Sequence, residues 1–300
     1  MPARLLFVHA HPDDETLTCG ITMAHHVAAG DEVHVLTCTL GEEGEVIPDE
    51  LHHLEGHPDD LLGPRRLGEL AEAMDRIGAG FRVLGADPAS GSLSLYRDSG
   101  MVGSAAAARP EAFVRADPDD AGARVAAVIR EVRPDVLVTY DPHGGYRHPD
   151  HIQTHRVVRA ALAQLAADPA TASELPAHVY QILTPQSWAE QDRAWLREGE
   201  WAAYGLVVPE MDDPYPPSVV RDHHVTHVVE DPTARPTLNA ALRAHRTQVR
   251  VVTEDVHALS NRIAARTTAR EGFGRVHPLS WSPWHREQDA GGPPQQGLLP

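Results

Sequence analysis

The feature that most constrains this chain is a pair of corners at which an apolar segment of strand length leads into His-Pro-Asp and then into a helical pattern. The first corner follows Arg4–His9 and reads His11-Pro12-Asp13-Asp14; the second follows Asp135–Tyr140 after a short loop and reads His148-Pro149-Asp150-His151. A short apolar run that ends at a turn is typical of a buried strand. Proline and acidic residues favour the first turn of a helix. Each corner therefore predicts the end of a strand and the start of a helix.

Other segments continue this alternation and predict the fold class. Further strands are expected at Val33–Leu40, Phe81–Leu84 and His178–Leu183. Helices are expected at Asp13–Ala29, Pro64–Ile77, Pro118–Val132 and Pro149–Ala166. Strands that alternate with helices of this length indicate an α/β fold, a Rossmann-like and mostly parallel sheet with helices on both faces.

The domain organisation follows from where this regularity ends. Residues 1–184 are interpreted as the Rossmann-like catalytic domain, and residues 185–288 as a smaller C-terminal α/β subdomain that covers the cleft. Within the second part, a strand is predicted at Val225–Val229 and helices at Pro236–Val249 and Val256–Thr267. Residues 289–300 are rich in Gly, Pro and Gln and are predicted to be disordered.

Charge and hydropathy disfavour several classes of partner. The 300 residues include 26 Lys and Arg against 43 Asp and Glu, which gives a net charge of −17 with neutral histidines. A chain this acidic is not expected to bind nucleic acid, which requires clustered basic residues. The sequence shows neither a membrane-spanning apolar run nor a signal peptide, so a cytoplasmic protein is expected. The expected partner is a small-molecule substrate, and homo-oligomer formation is compatible with the sequence.

The two corners also carry candidate metal ligands. Ligands of an open parallel sheet bind beyond the carboxyl ends of its strands, so both corners are expected to face one cleft. His11 and Asp14 from the first corner and His151 from the second would leave open positions on a metal ion, as in catalytic zinc sites. One zinc ion per chain is predicted, and ferrous iron fits the same ligands. Asp13 then lies beside the metal as the natural general base.

The second corner offers two further polar groups. His148 precedes His151 by one helical turn and is placed to bond the substrate or a developing oxyanion, and Asp150 could hold that imidazole in place. Two similar tetrapeptides, His57-Pro58-Asp59-Asp60 and Asp117-Pro118-Asp119-Asp120, follow no apolar strand. They are interpreted as loop or helix-cap elements.

The segment after the second strand leaves two interpretations open. Thr39–Glu45 overhangs the carboxyl edge of the predicted sheet and is acidic. Glu45 either lies on a solvated loop or lines a sugar pocket. From the residues alone, Arg66 is interpreted as a surface charge at the start of a helix.

At this point several segments resemble a known family. His9-Ala10-His11-Pro12-Asp13-Asp14-Glu15 and Gly145-Tyr146-Arg147-His148-Pro149-Asp150-His151 look like the motifs of the LmbE-like zinc de-N-acetylases. Within that family, residues 5–15, 37–47, 97–101 and 138–142 are similar to the deacetylases of mycothiol biosynthesis. Those enzymes remove the N-acetyl group of N-acetylglucosaminyl-inositol (GlcNAc-inositol). The resemblance covers most of the chain and is weakest over residues 167–224 and in the tail.

The resemblance implies roles for individual residues. It implies a zinc site of His11, Asp14 and His151 with Asp13 as base. It adds Tyr146 and His148 as groups that act on the carbonyl oxygen or the leaving amine, and Arg66 and Asp98 as sugar and inositol contacts. Two positions depart from the family pattern, since His143 stands where Asn is expected and Arg147 where Gly is expected. A cation beside His148 is expected to lower the pKa of that imidazole or to narrow the pocket rim.

Three other functions would share part of this pattern. Mycothiol S-conjugate amidase, or another LmbE-type N-acetyl-sugar deacetylase, would use the same metal site on a different substrate. A nucleotide-binding Rossmann protein would need a Gly-rich turn after the first strand, where this chain has His-Ala-His-Pro-Asp-Asp. A structural zinc module would have four protein ligands, often Cys, so three ligands and a spare Asp favour catalysis.

Overall fold

A computed structural model of the chain describes residues 2–283 and 292–299. The strands are, in chain order, β1 (Arg4–His9), β2 (Glu32–Thr37), β3 (Gly80–Val83), β4 (Val136–Tyr140), β5 (His178–Pro185), β6 (Val219–Val220), β7 (His227–Glu230), β8 (Arg250–Val251), β9 (Val256–Ala258), β10 (Ala265–Arg266), β11 (Arg270–Val276) and β12 (Gln295–Gln296). The helices are α1 (Asp14–Ala29), α2 (Leu62–Ile77), α3 (Pro118–Val132), α4 (Gly144–Arg147), α5 (Pro149–Ala167), α6 (Gln186–Arg197) and α7 (Arg235–Ala244). Short 3-10 segments join them, including Asp49–Leu54 after β2.

One large sheet forms the centre of the protein, in the order β12-β7-β11-β5-β4-β1-β2-β3, with β6 beside β5. The run from β3 to β5 is parallel, with Leu5 of β1 opposite Val33 of β2 and Val136 of β4. β11 then runs antiparallel to both β5 and β7. Parallel strands buried on both faces need helices on both sides, and this is the predicted α/β class.

Side-chain alternation along β1 divides the core into two layers. Leu5 and Phe7 face a cluster that includes residues of α1, α2 and α7. Leu6 and Val8 face the opposite cluster, which is built largely on α3 and α5. Because successive side chains of a strand point to opposite faces, the two layers together bury β1 from Leu5 to His9. This burial places the carboxyl end of β1 rigidly in the middle of the sheet edge.

The predicted elements of the first 185 residues are confirmed to within a few residues, but several later features differ; for example, the helix predicted at Pro236–Val249 is α7 and ends at Ala244. The predicted helix at Val256–Thr267 is wrong, since these residues form β9 and β10 in a small antiparallel sheet with β8. A turn at Arg262, whose φ is 59°, reverses the chain between them. β11 was not predicted, because its two glycines weaken the sequence pattern of a strand. One of them is required by packing, since a Cβ at Gly272 would lie 2.7 Å from the carbonyl oxygen of Leu183.

The domain boundary at residue 184 stays a prediction, although β7 and β11 from beyond it extend the central sheet. The predicted disorder of the tail is wrong for residues 292–299, because β12 pairs with β7 and Leu298 is buried. The Tyr180 hydroxyl donates to the Leu298 carbonyl oxygen at 2.8 Å, which anchors this segment. The rest of the predicted tail, residues 289–291 and 300, lies outside the described residues. Within the described part of the chain, no helix has the length and apolar character needed to cross a bilayer.

Candidate metal centre

The two His-Pro-Asp corners meet at the carboxyl edge of β1 and β4, which are neighbours in the sheet. The first corner supplies His11 and Asp14, and the second supplies His148 and His151. All four side chains are buried. The expectation that the two corners face one site is therefore fulfilled by the topology, because adjacent parallel strands end at the same edge.

The donor atoms of the predicted ligands converge on one carboxylate. Asp14 Oδ2 lies 3.2 Å from His11 Nδ1 and 3.2 Å from His151 Nε2. The ring of His151 stacks on Tyr140, with ring centroids 4.2 Å apart and an interplanar angle of 16°. Among the described residues, neither ring nitrogen of His151 makes a hydrogen bond of good geometry, and its Nε2 faces the Asp14 carboxylate. A buried imidazole in these surroundings fits a metal ligand, because buried polar atoms are otherwise hydrogen-bonded.

Other donor atoms lie close enough to hold an ion as well. In the described part of the chain, metal-ligating atoms come together in the sets His11, His148 and His151, and His11, Asp98 and Asp150. Imidazole nitrogens with carboxylate oxygens suit zinc and ferrous iron. The centre is therefore a candidate metal site by its chemistry.

The carboxylates around His11 give this pocket a negative environment that favours a cation. Its Nε2 lies 3.5 Å from Asp98 Oδ1 and 3.3 Å from Asp150 Oδ2, while Nδ1 faces Asp14. Burial opposes the charged form of His11, but these carboxylates outweigh it and raise the pKa of the imidazole well above its ordinary value. Burial likewise opposes ionisation of Asp14, yet His151 and His11 hold the pKa of that carboxyl well below its ordinary value.

Asp13 has a strained backbone beside this centre. Its φ is 119° and its ψ is −34°, outside the regions that side-chain-bearing residues normally occupy. Such a conformation costs about 1–3 kcal/mol and persists only when the surroundings impose it. Burial raises the pKa of Asp13 to about 6, although Arg66 opposes this shift. A carboxylate with that pKa can both take and return a proton near neutral pH.

Arg66 lies inside the protein and contacts Asp13. Only 3% of its surface is exposed, so the interpretation as a surface charge is wrong. Its Nη2 donates to the Pro12 carbonyl oxygen at 2.6 Å and to Asp13 Oδ1 at 3.1 Å, and its Nη1 donates to the Gly41 carbonyl oxygen at 2.7 Å. Gly41 is required here, because its φ is 65° and a Cβ would lie 2.0 Å from Arg66 Nη1.

Glu15 and His245 form a buried pair on the other side of Asp13. Glu15 Oε2 accepts the backbone N–H of Asp13 at 3.0 Å. Glu15 Oε1 lies 3.0 Å from His245 Nε2 and accepts the Thr16 hydroxyl at 2.6 Å. His245 and Glu15 are 1% and 0% exposed. The sequence analysis missed this pair, since His245 lies at the end of α7, 230 positions from Glu15, and no local pattern connects the two.

His148 is held as a neutral imidazole. Burial, reinforced by His11 and His151, lowers the pKa of His148 to about 3. Its Nδ1 accepts the backbone N–H of Asp150 at 3.2 Å, which assigns the ring proton to Nε2. His148 can therefore donate a hydrogen bond from Nε2. Tyr146 lies at the rim, half exposed, with its ring centroid 5.1 Å from that of His151.

The remaining predicted residues lie in different surroundings. The Asp150 carboxylate contacts His11 and the Ser99 N–H, at 3.3 Å and 2.8 Å, instead of the His148 ring that it was expected to hold. Asp98 contacts the centre at His11, with its Oδ1 atom 3.5 Å from His11 Nε2. Glu45 is exposed and lines a separate cleft of about 360 Å³ with Arg250 and Arg262.

The two residues that depart from the family pattern lie on the exposed rim of the site. Arg147 and His143 are both exposed, and Arg147 has a φ of 75°. This left-handed conformation favours glycine, the residue expected at that position. The two similar tetrapeptides are loop and cap elements, as predicted. Asp117 caps α3 by accepting the Asp119 N–H, while residues 57–60 lie between Asp49–Leu54 and α2.

Comparison with known proteins agrees with this geometry. The sequence pattern of the PIG-L family, GlcNAc-PI de-N-acetylase, matches residues 6–162. A protein of Streptomyces avermitilis named 1D-myo-inositol 2-acetamido-2-deoxy-alpha-D-glucopyranoside deacetylase is 47% identical over 296 residues, which cover 95% of this chain and 95% of the relative. A protein of Rhodococcus opacus with the same name is 47% identical over 273 residues, with 90% of each chain covered.

Solved structures share the fold. N,N'-diacetylchitobiose deacetylase from Pyrococcus horikoshii superposes with a TM-score of 0.56 at 17% sequence identity, covering 93% of this chain and 85% of the other. A deacetylase of teicoplanin biosynthesis superposes with a TM-score of 0.51 at 16% identity, covering 91% of this chain and 99% of the other. Likenesses at this level of identity concern the architecture of the chain.

Proposed function

The chain belongs to the PIG-L family, GlcNAc-PI de-N-acetylase, and from that premise we infer that it hydrolyses the N-acetyl group of GlcNAc-inositol in mycothiol biosynthesis. The products are acetate and the free glucosaminyl-inositol amine. The observation that supports this function most directly is the convergence of His11, Asp14 and His151, with Asp13 and its strained backbone beside them. The relatives that match nearly the whole chain carry the name of this activity.

His11, Asp14 and His151 are the proposed ligands of one metal ion per chain, zinc or ferrous iron. When bound, such an ion supplies a Lewis acid for the amide carbonyl and for water. Two imidazoles and one carboxylate leave positions for substrate, as catalytic sites require. Asp98 and Asp150 add negative charge around His11 and so favour a cation at this place.

The side chains divide the proton transfers between them. Asp13 takes a proton from the attacking water, since its raised pKa of about 6 makes it a competent base at neutral pH. The oxygen of that water bonds to the acetyl carbon. Neutral His148, with its proton on Nε2, donates a hydrogen bond to the developing oxyanion, and Tyr146 closes the rim. The C–N bond then breaks as Asp13 returns the proton that it took from water to the amine, since neutral His148 has no acidic proton to give.

The substrate contacts are assigned more narrowly than the resemblance implied. Asp98 is the proposed partner of the sugar hydroxyls, because it reaches the metal centre through His11. Glu45 stays a proposed contact for the part of a substrate that extends toward its cleft. The buried contacts of Arg66 support a role in holding Asp13. The proposal includes a cytoplasmic location, which is inferred from the sequence alone.

Amine release from purified protein tests the function. GlcNAc-inositol, free GlcNAc and a mycothiol S-conjugate are assayed side by side, and the metal content is determined on the same sample. Strong preference for GlcNAc-inositol with about one zinc or iron per chain supports the proposal. Turnover of the conjugate alone would establish the amidase instead. A metal-loaded protein that releases no amine from GlcNAc-inositol would refute the substrate.

A further inference from the structure

The backbone of Asp13 is held from two sides by groups that do not reach the metal ligands' donor atoms. On one side, Arg66 binds both the Asp13 carboxylate and the preceding carbonyl of Pro12. On the other side, Glu15 accepts the Asp13 N–H at 3.0 Å. A residue at a φ of 119° needs such contacts, because a relaxed backbone would turn both its N–H and its side chain elsewhere.

Glu15 is able to hold that N–H because His245 holds Glu15. The His245 Nε2 lies 3.0 Å from Glu15 Oε1 and 3.0 Å from the Thr16 hydroxyl. A buried carboxylate without a partner would be costly, so His245 makes the position of Glu15 tenable. Within the described residues, His245 Nδ1 has no hydrogen-bond partner, so the contacts of this ring are concentrated on the Glu15 side.

The segment after His245 fastens this arrangement to the rest of the site. Thr247 donates to Glu69 of α2 through its N–H and its hydroxyl, at 3.1 Å and 2.7 Å. Gln248 donates to the Glu45 carbonyl oxygen at 3.1 Å. Residues 245–248 therefore contact α1, α2 and the loop after β2, and so connect these three elements near the metal centre. His245 is the member of this segment that bears on Asp13.

We propose that the Glu15–His245 pair is a positioning device that keeps Asp13 in its strained conformation and so keeps the general base aimed into the metal centre. The inference rests on the proposed function, because it assigns a role in the same reaction. Neither residue contacts the proposed metal ligands' ring nitrogens, and His245 comes from the part of the chain after residue 184. The pair is expected to affect the rate of the chemical step and not the affinity for substrate.

The test replaces His245 in the full-length, metal-loaded protein. His245→Leu removes the donor and keeps an apolar side chain of similar size. We expect kcat to fall by about 10²-fold, the usual effect of a small displacement of a catalytic group, with KM and metal content unchanged. His245→Gln retains an N–H donor for Glu15 and is expected to recover most of kcat.

A matched control separates positioning from stability. His26 is buried at the far end of α1 and pairs with the partly buried Asp31 at 2.8 Å. His26→Leu removes a similar pair and is expected to lower the melting temperature with kcat unchanged. If His245→Leu lowered the melting temperature as His26→Leu does and left kcat intact, the pair would be purely structural and the inference overturned.

Two further readouts test the inference, and the second does not depend on the assumed substrate. In an Asp13→Ala background, His245→Leu should change kcat no further, since both act through one group; an additive loss would contradict the proposal. A crystal structure of His245→Leu should show Asp13 relaxed to negative φ whatever the substrate is. Retention of the positive φ would overturn the inference, whereas failure of the wild-type protein to deacetylate GlcNAc-inositol would overturn only the proposed function.

Discussion

The two corners of the metal centre share the sequence His-Pro-Asp and differ in backbone. At the second corner, His148 has a φ of −63° and a ψ of 133°, and it caps α5 in the ordinary way by accepting the Asp150 N–H on its ring. At the first corner, the helix begins two residues later in the motif, at Asp14, and Asp13 takes a φ of 119°. Its N–H goes to Glu15 and not to His11. The same three residues therefore form a relaxed cap in one place and a strained base in the other.

The difference comes from charges outside the shared His-Pro-Asp sequence, and two of them, Arg66 and His245, come from distant parts of the chain. Arg66 and the Glu15–His245 pair surround the first corner, while the second corner is flanked by Tyr140 and Tyr146. The electrostatic results are opposite as well. Burial raises the pKa of Asp13 to about 6 and lowers the pKa of His148 to about 3. One corner thus yields a base and the other a neutral hydrogen-bond donor.

The largest predicted effect comes from removing a ligand of the relaxed corner. His151→Ala should abolish both metal binding and activity, because it removes one of three proposed ligands. Metal content by elemental analysis and amine release are measured together. His57→Ala, in the similar tetrapeptide outside the site, should keep both. A fully metallated His151→Ala protein would show that His151 is not a required ligand.

The strained corner is predicted to carry the proton transfer. Asp13→Ala should retain the metal and lose about 10²–10⁴-fold in kcat, the usual contribution of a general acid–base group. Steady-state kinetics on metal-matched samples give this ratio. Near-full activity of the variant would remove the functional distinction between the corners.

The helix after the strained corner should also respond to pH. Glu271 lies against the middle of α1 and accepts the N–H groups of Ile21 and Thr22. Burial raises the pKa of Glu271 to about 7, although these bonds oppose the shift. The folded protein binds this proton more tightly than the unfolded chain, so the stabilisation is full below pH of about 4.5 and is lost as pH rises to about 7.

Urea unfolding of metal-free protein at several pH values measures this dependence. Over that window, the free energy of unfolding of the wild type should fall by up to about 3 kcal/mol relative to Glu271→Gln, which lacks the titrating group. Parallel pH curves for the two proteins would mean that Glu271 titrates normally.

The smallest effect isolates the strain itself. Asp13→Gly and Asp13→Ala both remove the carboxylate, but glycine adopts a positive φ without penalty. The glycine variant should be more stable than the alanine variant by about 1 kcal/mol, a typical cost of such a conformation. Thermal unfolding of the two proteins gives the difference. Equal stabilities, or a more stable alanine variant, would argue that Asp13 is not strained.

Local patterns were sufficient for the parallel part of the sheet, from β3 to β5, and for the pairing of the corners. Apolar runs predicted β1 and β4, and because their carboxyl ends share an edge, His11 and His151 could be placed together before any coordinates. The strain at Asp13 could not be predicted, because it depends on Arg66 and His245, which reach it from distant elements. β11 was missed for a related reason, since its glycines are explained only by the neighbouring strand.

The most direct test of the central claim is a crystal structure of the metal-loaded protein with anomalous scattering recorded at the zinc edge. The account predicts one ion per chain, bound by His11, Asp14 and His151 at about 2.0–2.2 Å, with Asp13 unliganded and still at positive φ. An ion bound instead between Asp98 and Asp150, or coordinated by Asp13, would contradict the division of roles between the two corners.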